Sequence, residues 1–319
     1  MKVLRIDGVR EVKWQEALQQ FLWKKSATGI SERTLKDYRK IVSLFFGRFP
    51  EAWPKALKPA VYEFMADDIK PATYNLRLIY LRAFFNFCLE EGYIEENPLA
   101  GFKRKKTDIR FVNLDYEHLE KLLSLPNRKT FAGLRDYALL LLTLDTGIRP
   151  SEALSLMPED VNLKALTVTV SAETAKTRVA RTLPLSPATA DAIRKLLAVR
   201  PPLWKNAPLF CSQDGRKMLE TSWWHRVNKY CQKLGIKLRA YDLRHIAATE
   251  FLRGGGNVHA LRHLLGHTGL AMAQKYVHLL DSDIREQHSQ ASIVQRMFSR
   301  HRVRKVQGKE SKPGQRARC

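Results

Sequence analysis

Apolar residues at helical spacing dominate the first hundred residues of this chain. Between Trp14 and Leu22 they recur at i, i+4, i+7 and i+8, which places them on one face of an α-helix. The same pattern follows a helix-capping candidate at Ser31 and returns between Pro71 and Gly92, and a shorter helix is predicted near Val61 to Met65. We therefore predict an N-terminal domain, residues 1–100, that is built from helices alone.

A second region, residues 112–290, combines helical segments with one hairpin. The apolar run from Leu134 to Asp145 predicts a helix, and Pro150 suits the first turn of the next one. Alternating residues at 165–170 and 179–185 predict two antiparallel strands. Further helices are predicted at residues 187–199, 223–234, 242–253 and 258–265. The predicted fold class is mainly α, with a small antiparallel β-sheet in the second domain.

The charge of the chain points to a polyanionic partner. It carries 55 Lys and Arg residues against 32 Asp and Glu residues, a formal net charge of +23. A hydrophobic fraction of 45% excludes a disordered polycation, because that composition can bury enough apolar surface to fold. The longest apolar run, Tyr137 to Leu144, is far shorter than the ~20 residues that span a bilayer. Because residues 1–10 also lack a secretion signal, we expect a cytoplasmic protein with no membrane partner.

Two segments concentrate the positive charge. After the helix-breaking Asn97-Pro98, residues 101–111 form a predicted interdomain linker, which is either a solvated tether or a connector that contacts DNA phosphates. Its four consecutive cations are Lys103, Arg104, Lys105 and Lys106. Residues 291–319 form a second basic segment, for which we predict a largely disordered tail.

No metal or cofactor site is expected from the sequence. The four cysteines, among them Cys88 on an apolar helix face, match neither metal-ligand nor disulfide spacing. Cys88 is interpreted as a packed thiol. The chain also contains no Gly-rich phosphate loop and no Ser-His-Asp order.

Short polar motifs in the second region follow one another in a distinctive order. They are Thr146-Gly-Ile-Arg-Pro-Ser-Glu-Ala-Leu154, Ala175-Lys-Thr-Arg-Val-Ala-Arg-Thr-Leu-Pro-Leu185, Tyr241-Asp-Leu-Arg-His245, Leu265-Gly-His267 and Tyr276-Val-His278. In this order and spacing the series resembles the tyrosine recombinase (phage integrase) family, and the resemblance covers nearly the whole chain. It implies a core-binding domain, a basic linker and a catalytic domain, without the arm-binding domain of larger integrases.

The resemblance also implies roles for individual residues. Arg149, Lys176, Arg244, His267 and Tyr276 match catalytic positions of the family, and Glu152 and His245 match supporting positions. Chemistry agrees with these roles, because cleavage of a phosphodiester without a metal needs a nucleophile, positive charge on the non-bridging oxygens and a proton for the leaving oxygen. The alternatives are that His267 only packs and that Glu152 is a carboxylate on a helix surface.

Two arginines can bind a phosphate as planar forks, which suits Arg149 and Arg244. Lys176 is then the expected general acid, because desolvation beside arginines lowers an ammonium pKa, and Tyr276 is the nucleophile. At position 241 the chain departs from the family, which usually has His there, whereas this chain has Tyr241. A phenol can donate a hydrogen bond to a phosphoryl oxygen, which is the catalytic role predicted for Tyr241, but it accepts a proton poorly near neutral pH. The general base therefore stays unassigned, and His245, four residues further along the same helix face, is a candidate for part of that role.

The resemblance implies a site-specific DNA recombinase that cleaves and rejoins DNA through a 3′-phosphotyrosyl intermediate, integrating, excising or resolving a mobile element. Its implied partner is double-stranded DNA with specific recombination sites, bound by a homo-tetramer on paired sites, together with any accessory directionality factors. Two alternatives stay open. One is a type IB topoisomerase that relaxes DNA, and the other is a DNA-binding protein that has lost catalysis.

Overall fold

The computed structural model describes residues 12–107, 114–175, 177–267, 269 and 276. The described residues form two units, divided between Arg110 and Phe111. Predictions for residues 1–10, for Lys176 and for the segment 291–319 lie outside the described residues. Among the helices that the structure describes, none is long and apolar enough to cross a membrane.

The described secondary-structure elements of the first unit are all helices, including a short 3₁₀-helix at Pro50–Ala52. Its α-helices are α1 (Trp14–Ala27), α2 (Glu32–Arg48), α3 (Leu57–Met65) and α4 (Pro71–Glu90). The side chain of Ser31 accepts a hydrogen bond from the backbone N–H of Thr34 and so caps α2, as the sequence predicts. Proline occupies the first turn of α4, where its missing N–H leaves no hydrogen bond unmade.

Aromatic rings fill the core of this first unit. Phe45 of α2 packs edge-to-face against Phe64 of α3 and Phe85 of α4, with ring centroids 5.3 and 5.9 Å apart. Such edge-to-face pairs add to the free energy gained from burying the rings. Cys88 is fully buried in the same core, and burial raises the pKa of its thiol. The interpretation of Cys88 as a packed thiol is confirmed.

The second unit contains a 3₁₀-helix at Pro158–Asp160 and the remaining described α-helices. They are α5 (Tyr116–Ser124), α6 (Phe131–Thr146), α7 (Pro150–Ala153), α8 (Pro187–Ala198), α9 (Glu220–Lys233), α10 (Ala240–Arg253) and α11 (Val258–Leu265). The apolar helix α6 packs against both α8 and α10. It ends at Gly147, whose φ of 63° is left-handed, and a Cβ atom there would lie 2.8 Å from the Leu265 side chain. Glycine therefore allows α6 to end against the last turn of α11.

A three-stranded antiparallel sheet accompanies these helices, with strands β1 (Val161–Asn162), β2 (Thr167–Val170) and β3 (Arg181–Pro184) in the order β1-β2-β3. Val168 pairs with Leu183, and both side chains are buried. The predicted hairpin is confirmed as β2 and β3, with shorter strands than expected. In that register Val170 pairs with Arg181, so β3 begins with a cation.

Two elements were absent from the sequence prediction. Strand β1 has only two residues, too few to show a period of two. Helix α5 is a nine-residue helix whose cap is Asp115, which accepts a hydrogen bond from the backbone N–H of His118. Neither element was predicted from the sequence. Leu119, Leu122 and Leu123 do have helical spacing, so a signal for α5 was present, whereas β1 is too short to carry one.

Candidate active site

The first part of the site is formed by the turn between α6 and α7. Arg149 caps α7, and the carboxylate of Glu152 accepts hydrogen bonds from the Arg149 backbone N–H at 3.3 Å and from its guanidinium at 2.9 Å. Residues three apart at the start of a helix meet in this way in a capping box. Glu152 is fully buried and Arg149 is 8% exposed, so this ion pair is shielded from solvent. Local geometry therefore fixes the orientation of the Arg149 guanidinium.

Arg181, at the start of β3, binds the same carboxylate from the other side. Its guanidinium donates to Glu152 at 2.6 Å and to the backbone carbonyl of Leu264 at 3.2 Å. Burial alone would raise the pKa of Glu152, but Arg181 and Arg149 outweigh it and hold that pKa below its ordinary value. Glu152 thus stays ionised between two guanidinium groups.

Sequence reasoning missed Arg181 as a site residue. It appeared there only as part of the hairpin motif that contains Lys176. The local sequence gave no signal for it, because cations are common on the edge strands of a sheet. What the sequence lacks is the tertiary contact that brings β3 to Glu152 on α7.

Arg244 lies at the centre of the site and is fully buried. Its guanidinium donates to the carbonyl of Gly147 at 2.6 Å and to the carbonyl of Leu265 at 2.8 Å, and it lies 3.0 Å from Nε2 of His267. Burial, and then the nearby positive charge of Arg149, lower the pKa of Arg244 to about 10. The group remains positively charged at neutral pH.

The segment after α11 joins the two arginines. Arg149 donates to the carbonyl of Gly266 at 3.2 Å, next to the Leu265 carbonyl that Arg244 binds. Burial first, and then the charges of Arg244 and Arg149, lower the pKa of His267 to about 4, so its imidazole is neutral at pH 7.

The hydrogen of that imidazole can be placed by elimination. A guanidinium only donates, so Nε2 of His267 accepts from Arg244 and the hydrogen resides on Nδ1. Nδ1 of His267 and Nε of Arg244 are both buried donors with no hydrogen-bond partner among the described residues. Buried donors of this kind are normally satisfied, and an oxygen of a bound anion would satisfy them.

Tyr276 contacts the site through His245. Its hydroxyl lies 2.7 Å from Nδ1 of His245, one residue after Arg244 on α10. The Tyr276 side chain is 6% exposed and belongs to an apolar cluster that includes Leu252, Leu261 and Leu265. Burial raises the pKa of the Tyr276 phenol to about 12, with Arg244 opposing the change.

Tyr241 occupies a different environment from Arg244, although both are on α10. Arg244 is fully buried, whereas Tyr241 is 46% exposed. The Tyr241 ring packs edge-to-face on the His245 ring, with centroids 5.1 Å apart. The polar contacts described around Arg244 do not include the Tyr241 hydroxyl.

The basic segment predicted as a linker is held against the first unit as far as the structure describes it. The Asn75 amide of α4 both donates to the Lys105 carbonyl and accepts from the Lys105 N–H, each at 2.8 Å. The Lys105 ammonium lies 4.2 Å from the centre of the Tyr74 ring, and Arg82 donates to the Phe102 carbonyl. All four cations of the run, Lys103, Arg104, Lys105 and Lys106, are exposed.

The described residues contain no group of three or more His, Cys, Asp or Glu side chains with the geometry of a metal site. The donor set around Arg149, Arg244 and His267 is instead cationic or neutral. Chemically, such a set binds anions. Lys176, the predicted general acid, lies outside the described residues.

Comparison with known proteins places the chain in a family. The phage integrase family matches residues 113–283. A tyrosine recombinase XerC from Thermodesulfovibrio yellowstonii is 30% identical over 272 residues, which cover 80% of this chain and 88% of that protein. A tyrosine recombinase XerD from Shewanella oneidensis is 28% identical over 290 residues, covering 86% of this chain and 95% of that protein.

Solved structures show the same fold. A lambda integrase tetramer bound to a Holliday junction superposes with a TM-score of 0.67 at 18% identity, covering 85% of this chain and 79% of that one. The Tn1549 transposon integrase in complex with circular intermediate DNA gives a TM-score of 0.66 at 18% identity, covering 82% and 94%. The chain belongs to the phage integrase family. It is a tyrosine-type site-specific DNA recombinase, and the predicted family and fold class are confirmed.

Proposed function

We propose that this recombinase cleaves DNA with Tyr276 as the nucleophile, forming a 3′-phosphotyrosyl intermediate and a free 5′-hydroxyl. One arrangement carries the proposal: neighbouring residues of α10, Arg244 and His245, contact His267 and Tyr276 respectively. Two consecutive residues of α10 therefore place the Tyr276 hydroxyl near the buried Arg244 guanidinium. The phosphotyrosyl bond conserves the energy of the broken phosphodiester, so rejoining needs no energy cofactor.

In this mechanism Arg149 and Arg244 bind the non-bridging oxygens of the scissile phosphate and stabilise the charge that develops in the transition state. The unpartnered Nδ1–H of His267 and Nε–H of Arg244 supply further donors to the same oxygens. Lys176 protonates the leaving 5′-oxygen. Glu152 and Arg181 are positioning residues, because they touch Arg149 and the last turn of α11 rather than the reacting atoms.

The partner that suits the rest of the chain is double-stranded DNA. We assign residues 1–100 to a core-binding domain, 101–111 to a basic linker, 112–290 to the catalytic domain and 291–319 to a basic tail. Lys103, Arg104, Lys105 and Lys106 contact phosphates along the duplex. The clamp of Asn75 on Lys105 supports this role, since it holds the cationic run in one conformation before DNA binds.

Strand exchange requires two DNA sites. We assign a homo-tetramer that binds paired, specific recombination sites. It acts in the compartment that holds the DNA, and accessory factors set the direction of recombination. This assembly is supported by the resemblance of the fold to lambda integrase, which has been solved as a tetramer on a Holliday junction. The biological outcome is integration, excision or resolution of a mobile element.

The test is covalent capture followed by sequencing. The full chain is incubated with fragmented genomic DNA and denatured, and DNA that stays attached to the protein is sequenced. Because phenylalanine lacks the attacking oxygen, Tyr276→Phe should abolish capture while duplex binding is retained. Tyr116→Phe, which alters an exposed tyrosine on α5, is the matched control and should capture DNA normally.

A denaturant-resistant adduct formed by Tyr276→Phe would contradict the assignment of the nucleophile. Two labelled duplexes that carry the captured sequence are then incubated together. Exchange of strands between them would show recombination, whereas an enzyme that only relaxes supercoils would exchange none. A protein that binds DNA without forming any adduct would be a binding protein alone.

A further inference from the structure

The proton of Tyr276 needs an acceptor before the phenol can attack phosphorus. The family position that usually carries a histidine holds Tyr241 in this chain, and a phenol accepts a proton poorly near neutral pH. The surroundings of the Tyr276 hydroxyl therefore decide which group accepts the proton.

The hydrogen bond between Tyr276 and His245 has a defined direction. The Tyr276 hydroxyl lies 2.7 Å from His245 Nδ1, and the described residues offer this hydroxyl no other hydrogen-bond partner. A buried phenol O–H needs an acceptor. Nδ1 fulfils that need only in the tautomer that carries its hydrogen on Nε2, so the tyrosine donates and the histidine accepts.

Other nearby groups are already committed. The Glu152 carboxylate binds Arg149 and Arg181. Nε2 of His267 faces the Arg244 guanidinium, which leaves that imidazole a donor at Nδ1. The Tyr241 ring contacts the His245 ring rather than the Tyr276 hydroxyl, and this contact helps to fix the orientation of the imidazole.

We propose that His245 is the general base of this recombinase, accepting the proton of Tyr276 through Nδ1. The inference rests on the proposed function, in which Tyr276 is the nucleophile. As the O–H bond of Tyr276 breaks, its proton moves to Nδ1 and its oxygen forms a bond to phosphorus. The bond from phosphorus to the 5′-oxygen breaks, and that oxygen takes a proton from the general acid Lys176. On rejoining, the 5′-hydroxyl returns its proton to Lys176 and attacks phosphorus. The bond from phosphorus to the tyrosine oxygen breaks, and Tyr276 recovers its proton from His245.

The environment of His245 keeps it able to accept. Burial first lowers the pKa of its imidazole below 6.5, the neighbouring Asp242 opposes that change, and the Arg244 charge adds to it. The other titratable groups facing it are Tyr241 on α10, His267 after α11 and Tyr276 itself. His245 is thus neutral at pH 7 and gains a proton only at a pH below 6.5, where cleavage should fall off.

The decisive variant is His245→Asn. It is tested on a duplex of the captured sequence with a nick near the cleavage site, so that cleavage releases a short strand and rejoining cannot occur. Asparagine keeps a hydrogen-bonding atom near the place of Nδ1 but does not accept a proton near neutral pH. We expect cleavage at pH 7 to slow by about 10²-fold or more, the usual contribution of a general base, with DNA affinity unchanged. The matched control is His259→Asn, an exposed histidine of α11.

The pH profile separates a base from a structural residue. Wild-type cleavage should level off above the pKa of His245, whereas cleavage by His245→Asn should keep rising about tenfold per pH unit, because solvent hydroxide must remove the proton. A fluorinated tyrosine at position 276, with a more acidic phenol, should accelerate His245→Asn more than the wild type. An equal rate and profile for His245→Asn and the wild type would overturn the proposal.

A measurement on the wild-type protein without DNA tests the inference even if His245→Asn does not fold. Nitrogen NMR of the full chain should find the His245 hydrogen on Nε2, and Tyr276→Phe should alter the Nδ1 signal. A hydrogen found on Nδ1 would refute the base assignment even if Tyr276 cleaves DNA. Failure of the wild type and of His259→Asn to form any adduct would instead refute the proposed function.

Discussion

The cores of the two units are built on different principles. Among the described residues of the first unit, Asn97 is the one buried polar residue outside the hydrophobic core, and that core is rich in aromatic rings. The second unit buries six charged side chains in its described part: Arg135, Asp136, Arg149, Glu152, Asp242 and Arg244. Burial of apolar surface stabilises the first unit, whereas the core of the second unit also fixes the positions of charged side chains.

Ion pairs between carboxylates and arginines compensate four of the buried charges of the second unit, those of Arg135, Asp136, Arg149 and Glu152, whereas Arg244 donates to backbone carbonyls. Glu152 binds Arg149 and Arg181, and Asp136 binds Arg135 and Arg226. Desolvation of each ion is unfavourable, so these contacts contribute less to stability than their short distances suggest. What they supply is fixed orientation, which a catalytic site for phosphate needs and an aromatic core does not.

The largest expected effect is a loss of folding stability, which can be compared between one core residue of each unit. Glu152→Gln removes the charge that compensates Arg149 and Arg181, and removing one partner of a buried ion pair destabilises by about 3–5 kcal/mol. Phe45→Ala leaves a cavity in the aromatic core, with a similar loss of about 3–5 kcal/mol. Urea unfolding followed by circular dichroism measures both.

The two losses should differ in their dependence on pH. The pKa of Glu152 is lowered in the folded protein, so its contribution is present above the ordinary value of 4.5 and is lost as pH falls through the folded pKa. The deficit of Glu152→Gln relative to wild type should therefore shrink in acid. The deficit of Phe45→Ala should stay constant, and an acid-independent deficit for both variants would contradict the charge account.

The next effect concerns catalysis in the second unit. Arg149→Ala and Arg244→Ala should each slow cleavage of the captured DNA by at least ~10²-fold, since each removes a preorganised donor to the transition state. Duplex affinity should change much less. Arg194→Ala, an exposed cation of α8, is the control. Equal losses of affinity and cleavage rate would mean that the buried arginines only hold DNA.

The smallest effect concerns exposed charge at the end of the first unit. Neutralising Lys103, Arg104, Lys105 and Lys106 together should flatten the slope of log affinity against log salt by several units, at about 0.9 per phosphate contact. Asn75→Ala keeps every cation but releases the Lys105 backbone, so it should weaken binding by only a few-fold. Electrophoretic mobility shifts over a range of salt measure both changes. An unchanged slope for the quadruple variant would assign the excess charge to residues 291–319.

The helices of the first unit were predictable because the information is local. Ser31 caps α2, Pro71 opens α4, and apolar residues recur at the period of a helix. The hairpin of β2 and β3 was predictable for the same reason, and so was α5, whose leucines have helical spacing, whereas β1 is too short to show a period. The family resemblance identified Arg149 and Glu152, and the capping box that joins them is seen only in the structure.

The sequence alone therefore determined the helical architecture, the hairpin and the family to which the chain belongs. Only the tertiary structure decided that Arg181 shares the carboxylate of Glu152 and that His245, rather than Tyr241, contacts Tyr276. These contacts join residues 29 and 31 positions apart. The physical reason is that hydrogen bonds and ion pairs depend on the distance between two atoms, and that distance is set by how α7, β3, α10 and α11 pack, which no local period encodes.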